Sequence, residues 1–234
     1  APILMDITVD GQQIKAVVQL TKQAIAYVFN RVTGEPVWPI VERPVPGSNT
    51  PGEWMSPTQP FPTKPLPFDK HGISTDDLID FTPELRAEAI KIVEPYILGE
   101  IFTPPSIRGD EATDTKGTLQ LPGSVGGAEW GGAGFDPDTG MLYVPSVTGA
   151  FAADLTPGNP DRMNVRYTRG TRAFPNGPQG LPLTKPPYGR ITAIDMNTGN
   201  HVWMVPNGDG PRDHPALQHL NLPPLGQPGR AMTL

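Results

Sequence analysis

The side chain best placed to do chemistry is Lys22, in Thr21-Lys22-Gln23-Ala24 between two apolar runs. A strand should turn there, and an ammonium buried at such a place would be costly. Read from its neighbours alone, Lys22 is a solvated lysine at a turn. A second candidate pair is Glu129-Trp130, inside Gly126-Gly127-Ala128-Glu129-Trp130-Gly131-Gly132. Glycines on both sides let a backbone approach a ligand closely; the plainer reading is a tight bend holding one packed Trp. The histidines, His71, His201, His214 and His219, lack metal-ligand spacing. Asp76-Asp77 and Asp136-Pro137-Asp138 lack the alternating oxygen ligands of a calcium loop, so capping and turn roles suit them better. Without a single cysteine the chain has no disulfide framework, thiolate nucleophile or cysteine-held metal.

The elements that position these residues are mostly strands and loops. With 31 Pro and 26 Gly in 234 residues, much of the chain must be turn or extended loop. Residues 1–40 read as short strands joined at Asp10-Gly11 and Thr33-Gly34. Residues 41–72 hold eight prolines, which predicts that no ladder runs through them, and residues 57–65 should be extended loop laid over a scaffold. A helix is expected over about 82–95. Thr82-Pro83-Glu84 supplies a cap, a first-turn proline and an acid at the positive end of the dipole; Leu85, Ala89, Ile92 and Val93 form the apolar face. A shorter helix is expected within 74–79. Strands return near 117–121, 132–136, 141–145, 190–195 and 201–205, interrupted by a Pro/Gly-rich excursion over 148–188.

Two segments repeat one pattern. Val28-Phe29-Asn30-Arg31-Val32-Thr33-Gly34-Glu35-Pro36-Val37-Trp38 aligns with Ala193-Ile194-Asp195-Met196-Asn197-Thr198-Gly199-Asn200-His201-Val202-Trp203. Each is a strand, an Asp or Asn that folds onto its own backbone, a Gly able to take positive φ, and a second strand ending in Trp. Phe135-Asp136-Pro137-Asp138-Thr139-Gly140-Met141-Leu142-Tyr143 repeats the turn with Tyr in place of Trp. Recurrent sheet units with a glycine signature and a fixed aromatic mark a β-propeller, in which Trp38 and Trp203 would pack against neighbouring blades.

The Ala-x-Asp-x-x-Thr-Gly-x-x-x-Trp form of residues 193–203 resembles the tryptophan-docking motif of the eight-bladed quinoprotein dehydrogenases, and residues 28–38 keep it with Val28 and Asn30 substituted. Asp6-Ile7-Thr8-Val9-Asp10-Gly11-Gln12, Thr58-Gln59-Pro60-Phe61, Ile101-Phe102-Thr103-Pro104-Pro105-Ser106 and Glu129-Trp130-Gly131-Gly132 are similar to the glucose dehydrogenase branch. The resemblance implies an all-β fold, about two blades of a partial propeller with long insertions. Residues 1–40 would end one blade and 41–100 form an insertion. Residues 101–205 would be the next blade, itself interrupted over 148–188, and 206–234 would begin a further blade or a connecting loop.

The resemblance also implies a chemistry. The cofactor would be pyrroloquinoline quinone with calcium, and the activity oxidation of a sugar or other alcohol. Lys22 would point into the central channel and pair with the quinone oxygens, stabilising negative charge as the ring is reduced. Glu129 and Trp130 would face the cofactor, and Ser124 stands where some relatives carry a contacting Asn. A general-base aspartate and the calcium ligands would precede Ala1 in the family, so this stretch alone should neither hold the cofactor tightly nor turn over. The electron acceptor would be a membrane quinone or a cytochrome, which implies the periplasm, and the remaining blades would be partners. The net charge of −6 argues against nucleic acid and anionic membrane surfaces. No run of 18 apolar residues occurs, the opening residues do not read as a signal peptide, and a start at Ala1 suggests a processed or cut piece. A non-catalytic propeller scaffolding other proteins is the rival reading, and an inert fragment with an unpaired blade edge a third.

Overall fold

The computed structural model describes residues 1–109, 111, 114–128, 130–170, 174–229 and 231. Two antiparallel sheets dominate it. The first runs β1 (Ile3–Val9), β2 (Gln12–Leu20), β3 (Ala26–Asn30), in that spatial order. Asp10 and Gly11 both take positive φ, 49° and 78°, so the β1–β2 hairpin closes on the two-residue turn whose twist matches the strands. Alternation along these strands puts Met5, Ile7, Ala16, Val18, Leu20, Ala26 and Val28 on one buried face.

Four further strands precede the second sheet. β4 (Ile40–Pro44) and β5 (Thr58–Pro62) pair with each other, so a ladder does run through the proline-rich segment. The expectation failed because of where the prolines sit. Val45 N–H donates to Pro57 O and Thr63 N–H to Pro39 O, which makes the odd-numbered partners of β4 the hydrogen-bonded row. Pro44, Pro60 and Pro62 all fall on the other row, where an N–H would point away from the partner strand. β6 (Ser106–Ile107) and β7 (Thr118–Gln120) both pair with a longer strand described next.

The second sheet contains β8 (Gly134–Asp136), β9 (Met141–Val147), β12 (Gly189–Asp195) and β13 (Asn200–Pro206), side by side in that order. Between β9 and β12 the excursion forms β10 (Phe151–Pro157) and β11 (Tyr167–Arg169), strands hidden from the sequence by the prolines and glycines around them. The three-stranded first sheet and the four-stranded second sheet are both antiparallel, and both stand open at their edges. Leu142, Val144 and Ile194 of the second sheet, with Met196 just past β12, pack with the buried face of the first, together with Phe68 and Ala128. A separate core forms around α1 (Pro83–Val93), where Leu85, Ala89 and Val93 are buried with Leu119, Leu181 and Tyr188. The helix starts as Thr82 Oγ1 accepts from Leu85 N–H at 3.2 Å, and one turn of 3₁₀ helix, Thr75–Asp77, precedes it under a Ser74 cap.

The repeated turns share one geometry. Asn30, Asp136 and Asp195 each accept on the side chain from the backbone two residues on, at 2.9, 3.0 and 2.9 Å. Gly34, Gly140 and Gly199 then close onto the same residues' carbonyls with φ of 80°, 74° and 71°. Trp38 docks across sheets: a Cβ at Gly199 would stand 3.0 Å from Trp38 Cζ2. Gly199→Ala should therefore cost about 1–2 kcal/mol, since it forces an L residue into the left-handed region and presses a methyl on the ring. Urea unfolding measures this, and an unchanged midpoint would show that Trp38 does not use this turn. Trp203 differs: its ring meets Tyr143 of its own sheet at 5.7 Å and stays 42% exposed.

Candidate functional site

Lys22 lies in the loop of residues 21–25 joining β2 to β3. Thr21 closes the loop on itself: its N–H donates to Ile25 O at 3.0 Å, and Ala24 N–H donates to Thr21 O at 3.1 Å with φ of 60°. The Lys22 side chain is exposed at the rim of a cavity of about 280 Å³, lined also by Gln23, Glu100, Phe102, Gln120 and Pro122. Its Nζ donates to the Ser124 carbonyl at 3.1 Å. Ammonium groups carry three donors, so two remain for a ligand.

The glycine-rich segment serves this lysine rather than leaving room for a ligand. Gly126 takes φ of 92°, and a Cβ there would stand 2.7 to 2.8 Å from Lys22 Cα, Cβ and Cγ. Only glycine lets the two backbones meet so closely. Gly127 N–H then donates to Lys22 O at 2.8 Å, and a Cβ on Gly127 would stand 2.8 Å from Ala24 Cβ.

Lys22 and Ser124 are thus brought together, though through the Ser124 backbone rather than its hydroxyl. Trp130 is 89% exposed, and its carbonyl accepts from the Ala1 nitrogen at 3.2 Å. Among the described residues no hydrogen bond or ring contact joins Trp130 to Lys22. Glu129 lies outside the described residues.

Beneath the loop sits an ionic cluster. Asp69 and Arg190 have side chains 1% and 7% exposed, with Nη2 3.3 Å from Oδ1. Thr148 Oγ1 lies between them, 2.6 Å from each partner, and Lys70 N–H also donates to Asp69 at 2.7 Å. Burial pushes the Arg190 guanidinium down and Asp69 opposes it; burial likewise pushes the Lys70 ammonium down. The segment carrying Asp69 continues to His71, whose Nε2 stands 2.6 Å from Gln23 O. The charged run Asp69-Lys70-His71 between Pro67 and Gly72 was the signal available for this cluster.

Over its whole length, residues 1–234, the chain matches the sequence model of the family described as the PQQ glucose/ethanol/alcohol dehydrogenase β-propeller domain. The chain belongs to that family. It is 31% identical over 240 residues to quinoprotein glucose dehydrogenase A of Acinetobacter calcoaceticus, covering 94% of this chain and 29% of the relative. Quinoprotein glucose dehydrogenase of Escherichia coli (strain K12) is 32% identical, with 86% and 27% covered. The glycerol dehydrogenase large subunit of Gluconobacter thailandicus is 30% identical, with 85% and 30% covered. A solved europium-containing methanol dehydrogenase aligns at 18% identity and a TM-score of 0.45, over 88% of this chain and 27% of that one. The chain therefore spans less than a third of the length of these relatives.

For a PQQ-family propeller the described residues fit one wall of a quinone site. The exposed Lys22 ammonium, fixed beside a cavity and with donors to spare, suits a planar ligand rich in acceptor oxygens. They do not fit a calcium site of their own. Among the described residues no group of three or more His, Asp and Glu side chains could hold a metal.

Proposed function

We propose that this chain forms the Lys22-bearing wall of the cofactor site in a quinone-dependent dehydrogenase oxidising a sugar or other alcohol. The supporting observation is the Lys22 ammonium, presented at the rim of the cavity by a loop whose backbone is hydrogen-bonded within itself and to the glycine segment. Pyrroloquinoline quinone, when bound, supplies the two-electron acceptor for alcohol oxidation. Lys22 binds and orients its oxygens and holds positive charge where negative charge develops. Glu129, Trp130 and Ser124 contribute further contacts to the same ligand, and calcium is held by residues outside this stretch. Electrons leave to a membrane quinone or a cytochrome, and the protein works in the periplasm. Reconstituting the full-length protein with the quinone and calcium, then following dye reduction by sugars, glycerol and simple alcohols, tests the reading. Absence of any alcohol-dependent reduction would sink it.

The remaining propeller blades are the partners this reading requires. Val202, Trp203, Met204 and Val205 are exposed along β13, the last strand in its sheet, and such an edge pairs readily. The 234-residue chain on its own should associate with rising concentration in size-exclusion chromatography. Val202→Lys with Met204→Lys should shift it toward the monomer. A monomer at every concentration would show that the apolar edge is not seeking a partner.

A further inference from the structure

Three consecutive carbonyls of the Lys22 loop are gripped from outside the loop. Lys22 O accepts from Gly127 N–H at 2.8 Å and Ala24 O from Phe68 N–H at 3.1 Å. Between them, Gln23 O accepts from a side chain, His71 Nε2, at 2.6 Å. A carbonyl oxygen only accepts, so Nε2 carries the proton. The histidine is itself fixed on both sides in the chain. Two residues before it, Asp69 is locked by Thr148 and Arg190. Just after it, Gly72 N–H donates to Leu121 O at 2.8 Å, and Leu121 lines the cavity that Lys22 faces. His71 lines a second cavity of about 460 Å³ with Gly72 and Ser74, and Glu100 lines both cavities. The other two grips are backbone N–H donors, one of them from a glycine. The middle one depends on an imidazole of this reach.

We propose that His71 is a positioning residue for Lys22, holding the Gln23 carbonyl so that the adjacent ammonium meets the quinone. The proposal rests on the quinone-site reading above. Without the His71 donor the peptide after Lys22 loses its tether, and the Lys22 side chain samples positions that miss the ligand. A donor at the same reach restores the tether; an apolar ring of similar size does not.

The test is quinone affinity of the full-length apo-protein, titrated with pyrroloquinoline quinone by tryptophan fluorescence. His71→Phe should raise Kd about tenfold, the worth of one good hydrogen bond. His71→Gln, whose amide nitrogen reaches about as far as Nε2, should return Kd to within about threefold of the wild type. In a Lys22→Ala background, His71→Phe should change Kd by less than about twofold, because the group it positions is gone. The inference falls if the wild type binds and His71→Phe binds equally well, or if the tenfold loss persists without Lys22. Should melting show His71→Phe unfolded, His71→Asn, a bond too short to reach Gln23, is read by the same criteria. A wild type that binds no quinone overturns the functional reading and this inference together, a pattern distinct from failure of the inference alone.

Discussion

Lys22→Ala in the full-length protein should lower kcat for quinone-dependent alcohol oxidation by about 10²- to 10³-fold, measured by dye reduction at saturating cofactor. The magnitude is that of removing one preorganised donor aimed at developing negative charge. The Lys22 ammonium stands beside a cavity with one donor already engaged by the Ser124 carbonyl and its backbone held against the glycine segment, so little reorganisation remains for the moment of reaction. Saturating quinone separates this loss from weakened binding, since an effect on affinity alone would vanish there. Stability should hardly change, because the side chain is exposed and makes one hydrogen bond, to a carbonyl. Lys22→Arg should recover the charge but not the rate. A guanidinium is planar and wider than an ammonium, so its donors fall at different points from those of the lysine. An alanine variant turning over at the wild-type rate would remove Lys22 from the chemistry.

What could be read in the sequence was local. The three Asn/Asp-x-x-x-Gly turns are legible because one residue's side chain, its backbone and a glycine four positions on determine them. Thr82-Pro83-Glu84 marks the helix start for the same reason. The β4–β5 ladder was missed because proline content was counted without its parity: the same residues one position over would have broken it. β10 was missed because its partners, β6 and β7, are short and far back in the chain. The site shows the same division. Lys22 reads locally as a solvated turn lysine, and its side chain is indeed exposed; what makes it a candidate is held in place by residues 102 and 105 positions away. The glycines at 126 and 127 signalled a close approach correctly but not its object, which is the lysine loop itself. No periodicity or spacing could pair Asp69 with Arg190, since that contact exists only once the second sheet has formed against the first.

That pair carries the largest expected effect on stability. Asp69→Ala should destabilise the folded protein by about 3–5 kcal/mol, the usual consequence of stranding one member of a buried pair. The Asp69 carboxylate accepts from Thr148 and from Lys70 N–H while facing Arg190, and neither charged side chain has more than a few per cent of its surface in water. Removing it leaves the Arg190 guanidinium buried without a counter-charge, hydrogen-bonded among the described residues to Thr148 Oγ1 and the Pro187 carbonyl. Burial pushes the Arg190 pKa down from its ordinary value, and Asp69 opposes that shift. The double change Asp69→Ala with Arg190→Met should recover much of the loss, because it removes the stranded charge as well as its partner. Urea unfolding of the wild type, each single variant and the double variant decides the matter. If the double variant is as unstable as the sum of the singles, the two charges act independently and the cluster is not the anchor of the 67–72 segment.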